Sequence, residues 1–472
     1  MPLILPGNVA SATAAVGYNV ANSCRFNKAD DASHSKSSFD TGSNLKWTAS
    51  CWAKVCLKTG DGYRPMISSS TSSSIGTWIY FGTGDEIAVQ DYNGGATWNV
   101  TTNAKFRDPA AWYNVVVRYD SAQSTNTDRL RVYVNGVLQS LNTANYPDED
   151  EVSHGFGNSA LVEVGGDSGP WLQEDYDGYL AEVIFCDNQS LAPTSFGEFD
   201  SDSPTIWKPK DISGLTSVFY LDFEDSDNLG DDESGNSNDF TENNITAIHQ
   251  SADSPTNNFA VMNPLANLLS NPGLFTEGNL EITSAGAWCS YTSTIGVNKG
   301  KWFAEMKLTV HNGNSLCGIL SENVLKAGNG TDDYGISANL GINNQYQGIG
   351  YFTGNGKRYP GSGGAPAAYG DTYTAGDIIG ISMNVDDGEL IFYKNGTAQD
   401  SGTAIDFTPG DEYWFFALSN YSGTPDTMEV NFGNSISAIS SGNADADGYG
   451  NFEYAVPSGF FSLCSKNLAE YG

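Results

Sequence analysis

Alternation of apolar and polar residues predicts β-strands along most of the chain. The segment WTASCWAKV, residues 47–55, alternates apolar residues with small or polar ones. The segment AWYNVVVRYD, residues 111–120, places Tyr and Val on one face at every second position. A third strand pattern, GYLAEVIFCD, covers residues 178–187. The period of two favours half-buried strands over helices.

Turn-forming residues join these strands into hairpins. The segment DRLRVYVNGVLQS turns at Asn-Gly, residues 135–136, a dipeptide that type I′ hairpins favour. In the second half, GDIIGISMNVDDGELIFYKNGT contains two strands linked by residues 386–388 and ended by Asn-Gly at residues 395–396. Both halves are therefore predicted to be antiparallel.

The chain of 472 residues is too long for one ordinary hydrophobic core. We predict an all-β fold of two tandem antiparallel sandwiches with very little helix. The expected division is an uncharged N-terminal arm at 1–24, a first sandwich at 25–225, an acidic connector at 226–272 and a second sandwich at 273–472. The connector is assigned because DSDNLGDDESGNSNDFTENN has many turn formers and few apolar residues.

Charge and cysteine content argue against several classes of partner and site. With 22 basic and 56 acidic residues, the formal charge of −34 disfavours binding to nucleic acid. The seven cysteines are an odd number and widely spaced, and the four histidines are scattered, so we expect buried free thiols and no zinc site. The N-terminus lacks the pattern of a signal peptide, and no segment reads as a membrane span, so membrane insertion is not expected.

Several motifs resemble known families. RFNKAD, WTASCWAKV, WYNVVVRYD, RLRVYVNGV and GYLAEVIF resemble laminin-G-like, concanavalin-type jelly rolls. GKWFAEMKL, LCGIL, YGIS and GDIIGISMNVDDGELIFYKNG occur in the order found in SPRY domains, which they resemble. The resemblance implies two concanavalin-like jelly rolls in tandem.

The two ends of the chain and its middle resemble virion proteins of tailed bacteriophages. The similar segments are MPLILPGNVASATAAVGYNVANSCRF, DESGNSNDFTENN and SGNADADGYGNFEYAVPSGFFSLCSKNLAEYG. The resemblance implies an oligomeric fibre or appendage subunit, located in the virion, that contacts other virion proteins and a host-surface polysaccharide. Leu3, Ile4 and Leu5 form the apolar part of the arm and are the candidate attachment residues.

Catalytic patterns are weak. Glycoside hydrolases use paired carboxylates facing one cleft. The acidic runs at 148–151 and 174–177 are consecutive or in turn-rich segments, and no serine elbow lies near a histidine. We therefore expect a protein that is not an enzyme. A decoration protein without a glycan ligand and a polysaccharide depolymerase remain the alternatives.

Loop aromatics beside polar residues are the candidate glycan-binding residues, because sugars stack on aromatic faces. In the first half these are Trp98 in NGGATWNV and Trp171 in GGDSGPWLQEDYDG, with Asp175 as a hydrogen-bonding partner. In the second half they are Arg358 and Tyr359 in a glycine-rich loop. The alternative is that each of these aromatics packs beneath its own loop and binds nothing. The tryptophans on strand patterns are expected in the core, and these are Trp47, Trp52, Trp112, Trp302 and Trp414.

Calcium is the one cofactor for which the sequence offers a candidate loop. In SGNADADGYGN, Asn443, Asp445 and Asp447 space oxygen ligands at every second residue. No helices flank this loop, and position twelve of an EF-hand loop is Tyr454 here. An Asx-rich turn without metal is the preferred interpretation.

Overall fold

The structure is a computed structural model. The residues it describes are 17–39, 42–56, 62–72, 74–156, 160–167, 174–266, 273–284, 289–312, 314–323, 348–360, 366–420 and 424–472. The chain forms two compact units, and the boundary lies between Thr256 and Asn257. Each unit has its own hydrophobic core.

Within the described residues, the first unit has eighteen strands, most of them ending at a turn former. They are β1 (Ser23–Phe26), β2 (Ser33–Phe39), β3 (Lys46–Val55), β4 (Arg64–Ser72), β5 (Ile75–Phe81), β6 (Ile87–Asn93), β7 (Ala96–Thr102), β8 (Tyr113–Asp120), β9 (Leu130–Val134), β10 (Val137–Leu138), β11 (Leu141–Asn145), β12 (Ala160–Val164), β13 (Gly178–Asp187), β14 (Gly197–Phe199), β15 (Trp207–Pro209), β16 (Phe219–Leu221), β17 (Thr241–Asn243) and β18 (Gln250–Ser251). A one-turn helix, α1 (Asn126–Arg129), precedes β9.

Two antiparallel sheets of the first unit enclose its core. Sheet A has the order β10-β9-β8-β3-β13-β1-β18, with β16 also paired to β13. Sheet B has the order β11-β7-β6-β5-β4-β12-β2-β17. Between them, the Trp47 ring stacks on Tyr119 at 5.3 Å, and the ring of Trp98 stacks on Tyr119 at 5.4 Å. Two of the predicted strands, β3 and β8, pair directly.

The acidic segment predicted as a connector belongs largely to the first unit. Strand β17 pairs with β2 in sheet B, and β18 pairs with β1 in sheet A. The few apolar residues of the segment enter the core, since Leu229, Phe240 and Ile245 are at most 5% exposed. The prediction failed because these apolar residues stand singly among turn formers and give no period. The predicted arm also ends too late, because Ser23 and Cys24 lie in β1.

A fully buried ion pair ties this segment to sheet A. The ammonium nitrogen of Lys54, on β3, lies 2.6 Å from a carboxylate oxygen of Asp253, and both side chains are 0% exposed. The indole nitrogen of Trp112 donates to the other oxygen of Asp253 at 3.0 Å. Removing one partner of such a pair leaves an uncompensated charge in the interior.

The described part of the second unit has fifteen strands and a C-terminal helix, α2 (Ser465–Tyr471). The strands are β19 (Leu274–Thr276), β20 (Glu281–Thr283), β21 (Cys289–Thr292), β22 (Lys301–Val310), β23 (Ser315–Ser321), β24 (Gly348–Phe352), β25 (Lys357–Pro360), β26 (Ala367–Ala368), β27 (Ile378–Asn384), β28 (Glu389–Lys394), β29 (Thr397–Ala398), β30 (Ile405–Asp406), β31 (Trp414–Asn420), β32 (Thr427–Asn431) and β33 (Phe461–Ser462).

These strands form a second sandwich. Sheet C has the order β19-β20-β32-β22-β27-β28-β29, with β30 paired to β28 and the short β33 paired in parallel to β22. Sheet D has the order β21-β31-β23-β24-β25-β26. Trp302 and Trp414 lie in the core between the sheets, at 0% and 1% exposure. The all-β class with little helix is thus confirmed.

Details of the strand pattern are also confirmed. Asn135 and Gly136 have φ of 48° and 75°, and Asn395 and Gly396 have φ of 47° and 77°, as type I′ turns require. All seven cysteines are free and buried. Among the described residues, no helix is both long enough and apolar enough to cross a membrane.

Candidate functional site

Trp98 is a core residue and not a surface aromatic. It lies on β7 at 0% exposure, and its ring stacks on Tyr119 inside the sandwich. The prediction that it binds a ligand is therefore wrong. Its position in β7 turns the side chain inward, together with Val100 two residues later. The glycines before it form the β6–β7 turn, which gave the segment the composition of a loop.

Four candidates lie outside the described residues. They are the ligand-binding candidate Trp171 and the three attachment candidates Leu3, Ile4 and Leu5. Their predicted roles remain predictions.

Asp175 lies at one end of the first sandwich, where two loops meet. It forms an isolated β-bridge with Gly166, and its neighbour Glu174 makes an ion pair with Lys28 on the opposite loop. On that loop Asp31 adopts a left-handed conformation with φ of 52°. We call Lys28, Asp31, Glu174 and Asp175 the rim site. The sequence predicted Asp175 but missed the other loop, because 143 or more residues separate its members from Glu174.

Burial and neighbouring carboxylates raise the pKa of Asp175 in the rim site. Partial burial raises the pKa of Asp175 to about 7, and the charges of Asp31 and Glu163 act in the same direction. The charge of Lys28 opposes this rise. Asp175 therefore exchanges its proton near neutral pH, and in the protonated form it both donates and accepts hydrogen bonds.

Arg358 and Tyr359 lie on a strand and not in the glycine-rich loop that the sequence predicted. Strand β25 pairs with β24 through Arg358–Tyr351 and Tyr359–Gly350. The Tyr359 ring packs against the ring of Phe352 at 5.2 Å. The glycine-rich composition obscured the strand, which is only four residues long. Both residues are partly exposed, and a ligand role stays a prediction.

The calcium candidate Asp445 is a structural turn residue. One of its carboxylate oxygens accepts hydrogen bonds from the backbone of Asp447 at 3.0 Å and of Tyr449 at 2.9 Å. The other oxygen accepts from the Ser462 backbone at 2.9 Å and from the Asn467 amide at 2.8 Å. These donors occupy the lone pairs that a calcium ion would need.

The two other calcium candidates are also engaged elsewhere. The amide of Asn443 donates to the backbone carbonyls of Phe452 and Glu453, and Asp447 accepts the Tyr471 hydroxyl at 2.8 Å. The described residues contain no group of three or more His, Cys, Asp or Glu side chains arranged to hold a metal ion. The hydrogen bonds of Asp445 are those of an Asx-rich turn, and a calcium role for the loop stays a prediction.

A cavity of about 210 Å³ opens on the outer face of sheet C. Its floor is a rectangle of four polar side chains on adjacent strands, because Glu305 lies opposite Asn431 and Lys307 lies opposite Glu429 in the β22–β32 pairing. Lys307 approaches the Glu429 carboxylate at 3.5 Å. We call this site the sheet C cup.

The walls of the cup come from two later segments. One is residues 435–440, where Ser437 bonds to both Lys307 and Glu429. The other is Glu453 and Tyr454, whose backbone nitrogens donate to the buried carboxylate of Glu305 at 2.9 and 2.8 Å. Burial raises the pKa of Glu305, although these hydrogen bonds oppose the rise.

Sequence reasoning missed the cup. The alternation in KWFAEMKL and TMEVN does place Glu305, Lys307, Glu429 and Asn431 on outward faces. The pairing of β22 with β32 across more than 120 residues is not visible in that pattern.

Comparison with known proteins agrees with this architecture. Residues 26–190 match the concanavalin A-like lectin/glucanases superfamily, and residues 302–435 match the SPRY domain. The chain thus carries a concanavalin-type domain followed by a SPRY domain. No curated protein matches the sequence significantly.

Parts of three solved structures are similar to parts of this chain. The SPRY domain of human HERC1 is 15% identical with a TM-score of 0.28, covering 36% of this chain and 96% of its own. Stonustoxin is 14% identical with a TM-score of 0.28, covering 36% of this chain and 27% of its own. The heptameric SAP-like pentraxin from Limulus polyphemus is 15% identical with a TM-score of 0.28, covering 37% of this chain and 80% of its own.

Proposed function

We propose that this chain is a lectin-like recognition protein that binds a surface glycan through the rim site of its first unit. The observation that carries the proposal is the rim site at the end of a sandwich that matches the concanavalin A-like lectin/glucanases superfamily. Four charged side chains from two loops converge there. Hydroxyl groups of a sugar donate to and accept from such groups.

The test measures binding of the full chain to an array of bacterial surface polysaccharides. We expect saturable binding that changes between pH 6 and pH 8, because Asp175 with a pKa of about 7 loses its proton in that range. In Asp175→Ala we expect a loss of affinity of about tenfold or more, equivalent to about 1.4 kcal/mol for tenfold. In Asp175→Asn the pH dependence should disappear.

The matched control is Asp202→Ala, an exposed carboxylate of the same unit. It should leave both affinity and pH dependence unchanged. Equal binding by the wild type and Asp175→Ala at every pH would reject the rim site. Absence of binding to every polysaccharide would reject glycan recognition itself.

We further propose that the chain is a fibre or appendage subunit of a phage virion, where it forms a homo-oligomer and contacts other virion proteins. The support is the resemblance of its two ends and its middle to tailed-phage virion proteins. Antibody labelling of intact virions tests this location. Label at a position away from host-contacting appendages, together with an empty glycan array, would favour a decoration protein. Absence of the chain from purified virions would contradict the proposal.

We propose binding without cleavage. One observation favours a depolymerase as a second candidate, because a carboxyl group with a raised pKa, such as that of Asp175, is suited to act as a general acid. Release of reducing ends from a bound polysaccharide, abolished by Asp175→Asn and by Glu174→Gln, would establish the second candidate. Intact polysaccharide after long incubation supports simple binding.

A further inference from the structure

We propose that the sheet C cup is a second binding site, which holds a single neutral sugar ring of a glycan. This inference rests on the proposed glycan recognition but concerns the other unit and different residues. The cup is formed entirely by described residues. Its volume of about 210 Å³ is far above the ~10–15 Å³ that one ordered water requires.

The floor of the cup has the dimensions of a pyranose ring. Side chains opposite each other on antiparallel strands are about 5 Å apart, and alternate residues of one strand are about 7 Å apart. The four floor residues Glu305, Lys307, Glu429 and Asn431 therefore form a rectangle of about 5 by 7 Å. Glu305 and Asn431 are buried beneath the backbone of residues 453–454, whereas Lys307 and Glu429 are partly exposed. A flat ring in the cup can meet these two side chains with the hydroxyls at its edge.

The charged groups of the floor already have partners, which favours a neutral ligand over an ion. Lys307 is paired with Glu429 at 3.5 Å. The carboxylate of Glu305 accepts three hydrogen bonds, from the backbone of Glu453, the backbone of Tyr454 and the Asn431 amide. These groups are held in place before a ligand arrives, so little conformational entropy is lost on binding.

The walls supply apolar and hydroxyl surfaces in addition. Ile378 lies opposite Lys307 on β27 and continues the floor as an aliphatic edge. Ile436 and Ile439 also line the cup, and the Tyr454 ring lies close to Gly396. A sugar ring has apolar C–H faces and polar edges, and sites of this mixed composition match both.

The experiment uses the full chain and five methyl glycosides as probes: those of glucose, galactose, mannose, N-acetylglucosamine and rhamnose. Saturation-transfer NMR and calorimetry should detect binding of at least one of them. We expect Lys307→Met and Glu429→Gln each to weaken that binding tenfold or more. The double variant, Lys307→Met with Glu429→Gln, removes both charges together and guards against an unfolded single variant.

Lys301→Met and Asp387→Asn are the matched controls. Lys301 lies on the same strand as Lys307 and pairs with the exposed Asp387 at 3.3 Å, away from the cup. Both controls should bind the glycoside as the wild type does. Thermal melting of every variant verifies folding.

The outcomes separate this inference from the proposed function. Glycoside binding that survives the double variant overturns the sheet C cup as a sugar site. If that binding instead disappears in Asp175→Ala, glycan recognition stands at the rim site alone. Absence of any glycoside or polysaccharide binding rejects both proposals. Binding of Nα-acetyl-lysine methylamide in place of every glycoside, dependent on Glu429, would identify a site for a cationic peptide and overturn the sugar assignment.

Discussion

Glu182 is a buried carboxyl group in the middle of strand β13. It has φ of 51° at the point where the pairing with β3 is interrupted, and it is 3% exposed. The hydroxyl of Tyr220 donates to it at 2.9 Å, and the Tyr18 hydroxyl lies 3.3 Å away. Burial raises the pKa of Glu182 to about 8, although the hydrogen bond from Tyr220 opposes the rise.

This raised pKa predicts how the stability of the first unit depends on pH. The folded state retains the Glu182 proton between the unfolded pKa of about 4.5 and the folded pKa of about 8. The free energy of unfolding should therefore fall as pH rises through that window, by up to about 1.4 kcal/mol per pH unit. Glu182→Gln should reduce the slope, measured by urea denaturation from pH 5 to pH 9. An identical slope in both proteins would contradict the assignment.

Single residues show how far sequence reasoning reaches. The five tryptophans predicted for the core are all at most 9% exposed. A period of two accounts for Trp47, Trp302 and Trp414, which face the interior of a sandwich. Trp52 and Trp112 are buried instead in a smaller cluster with Trp207. Trp98 was misjudged since the neighbouring glycines hid its strand. From the sequence, Asp445 suited both a calcium site and an Asx-rich turn. The hydrogen bonds from Ser462 and Asn467 favour the turn, and they come from residues distant in sequence.

At the scale of elements, the hairpin of β9 and β10 depends on its glycine. Gly136 has φ of 75°, and a Cβ atom there would lie 2.3 Å from the Trp207 ring. Gly94 has φ of 67° in the β6–β7 turn but has nothing within 4 Å of the same position. A side chain at Gly94 would thus meet backbone strain alone, whereas a side chain at Gly136 would meet both backbone strain and a steric conflict.

Alanine substitutions at these two positions should differ in cost. Gly94→Ala introduces only left-handed backbone strain, about 1–2 kcal/mol. Gly136→Ala adds overpacking against Trp207, about 1–3 kcal/mol more. Thermal denaturation of both variants measures the difference. A cost for Gly136→Ala no greater than that for Gly94→Ala would mean that the ring moves aside freely.

Long strands were predictable, and short ones were not. Segments such as β3, β8, β13 and β27 have seven to ten residues and show a clear period. β17 and β18 have three and two residues, too few to establish any period. Their positions depend on the exposed edges of β1 and β2, which only the folded sheets provide.

At the scale of the whole molecule, the boundary between the units makes a prediction about fragments. A fragment of residues 17–256 includes β17, β18 and Asp253, whereas a fragment of 17–225 lacks them. The shorter fragment leaves Lys54 buried without its counter-charge, a loss of about 3–5 kcal/mol for the pair alone. We expect the longer fragment to fold and the shorter one to remain unfolded or aggregate.

Circular dichroism and NMR spectra of both fragments provide the measurement. The control is the shorter fragment with Lys54→Met. This substitution removes the buried charge of Lys54 but does not restore the missing strands β17 and β18. Cooperative unfolding of the 17–225 fragment would show that the acidic segment is dispensable. That result would also support the prediction that residues 226–272 are a connector.

The Lys54–Asp253 pair has a consequence for the order of events during synthesis. Its two members are separated by 199 residues, so the lysine leaves the ribosome long before the aspartate exists. Until residue 253 emerges, the growing sandwich has to keep this lysine hydrated, which leaves that part of sheet A accessible to water. The first unit therefore completes its interior only when its last residues are available. A nascent chain stalled before that point should expose the site to proteases and chaperones.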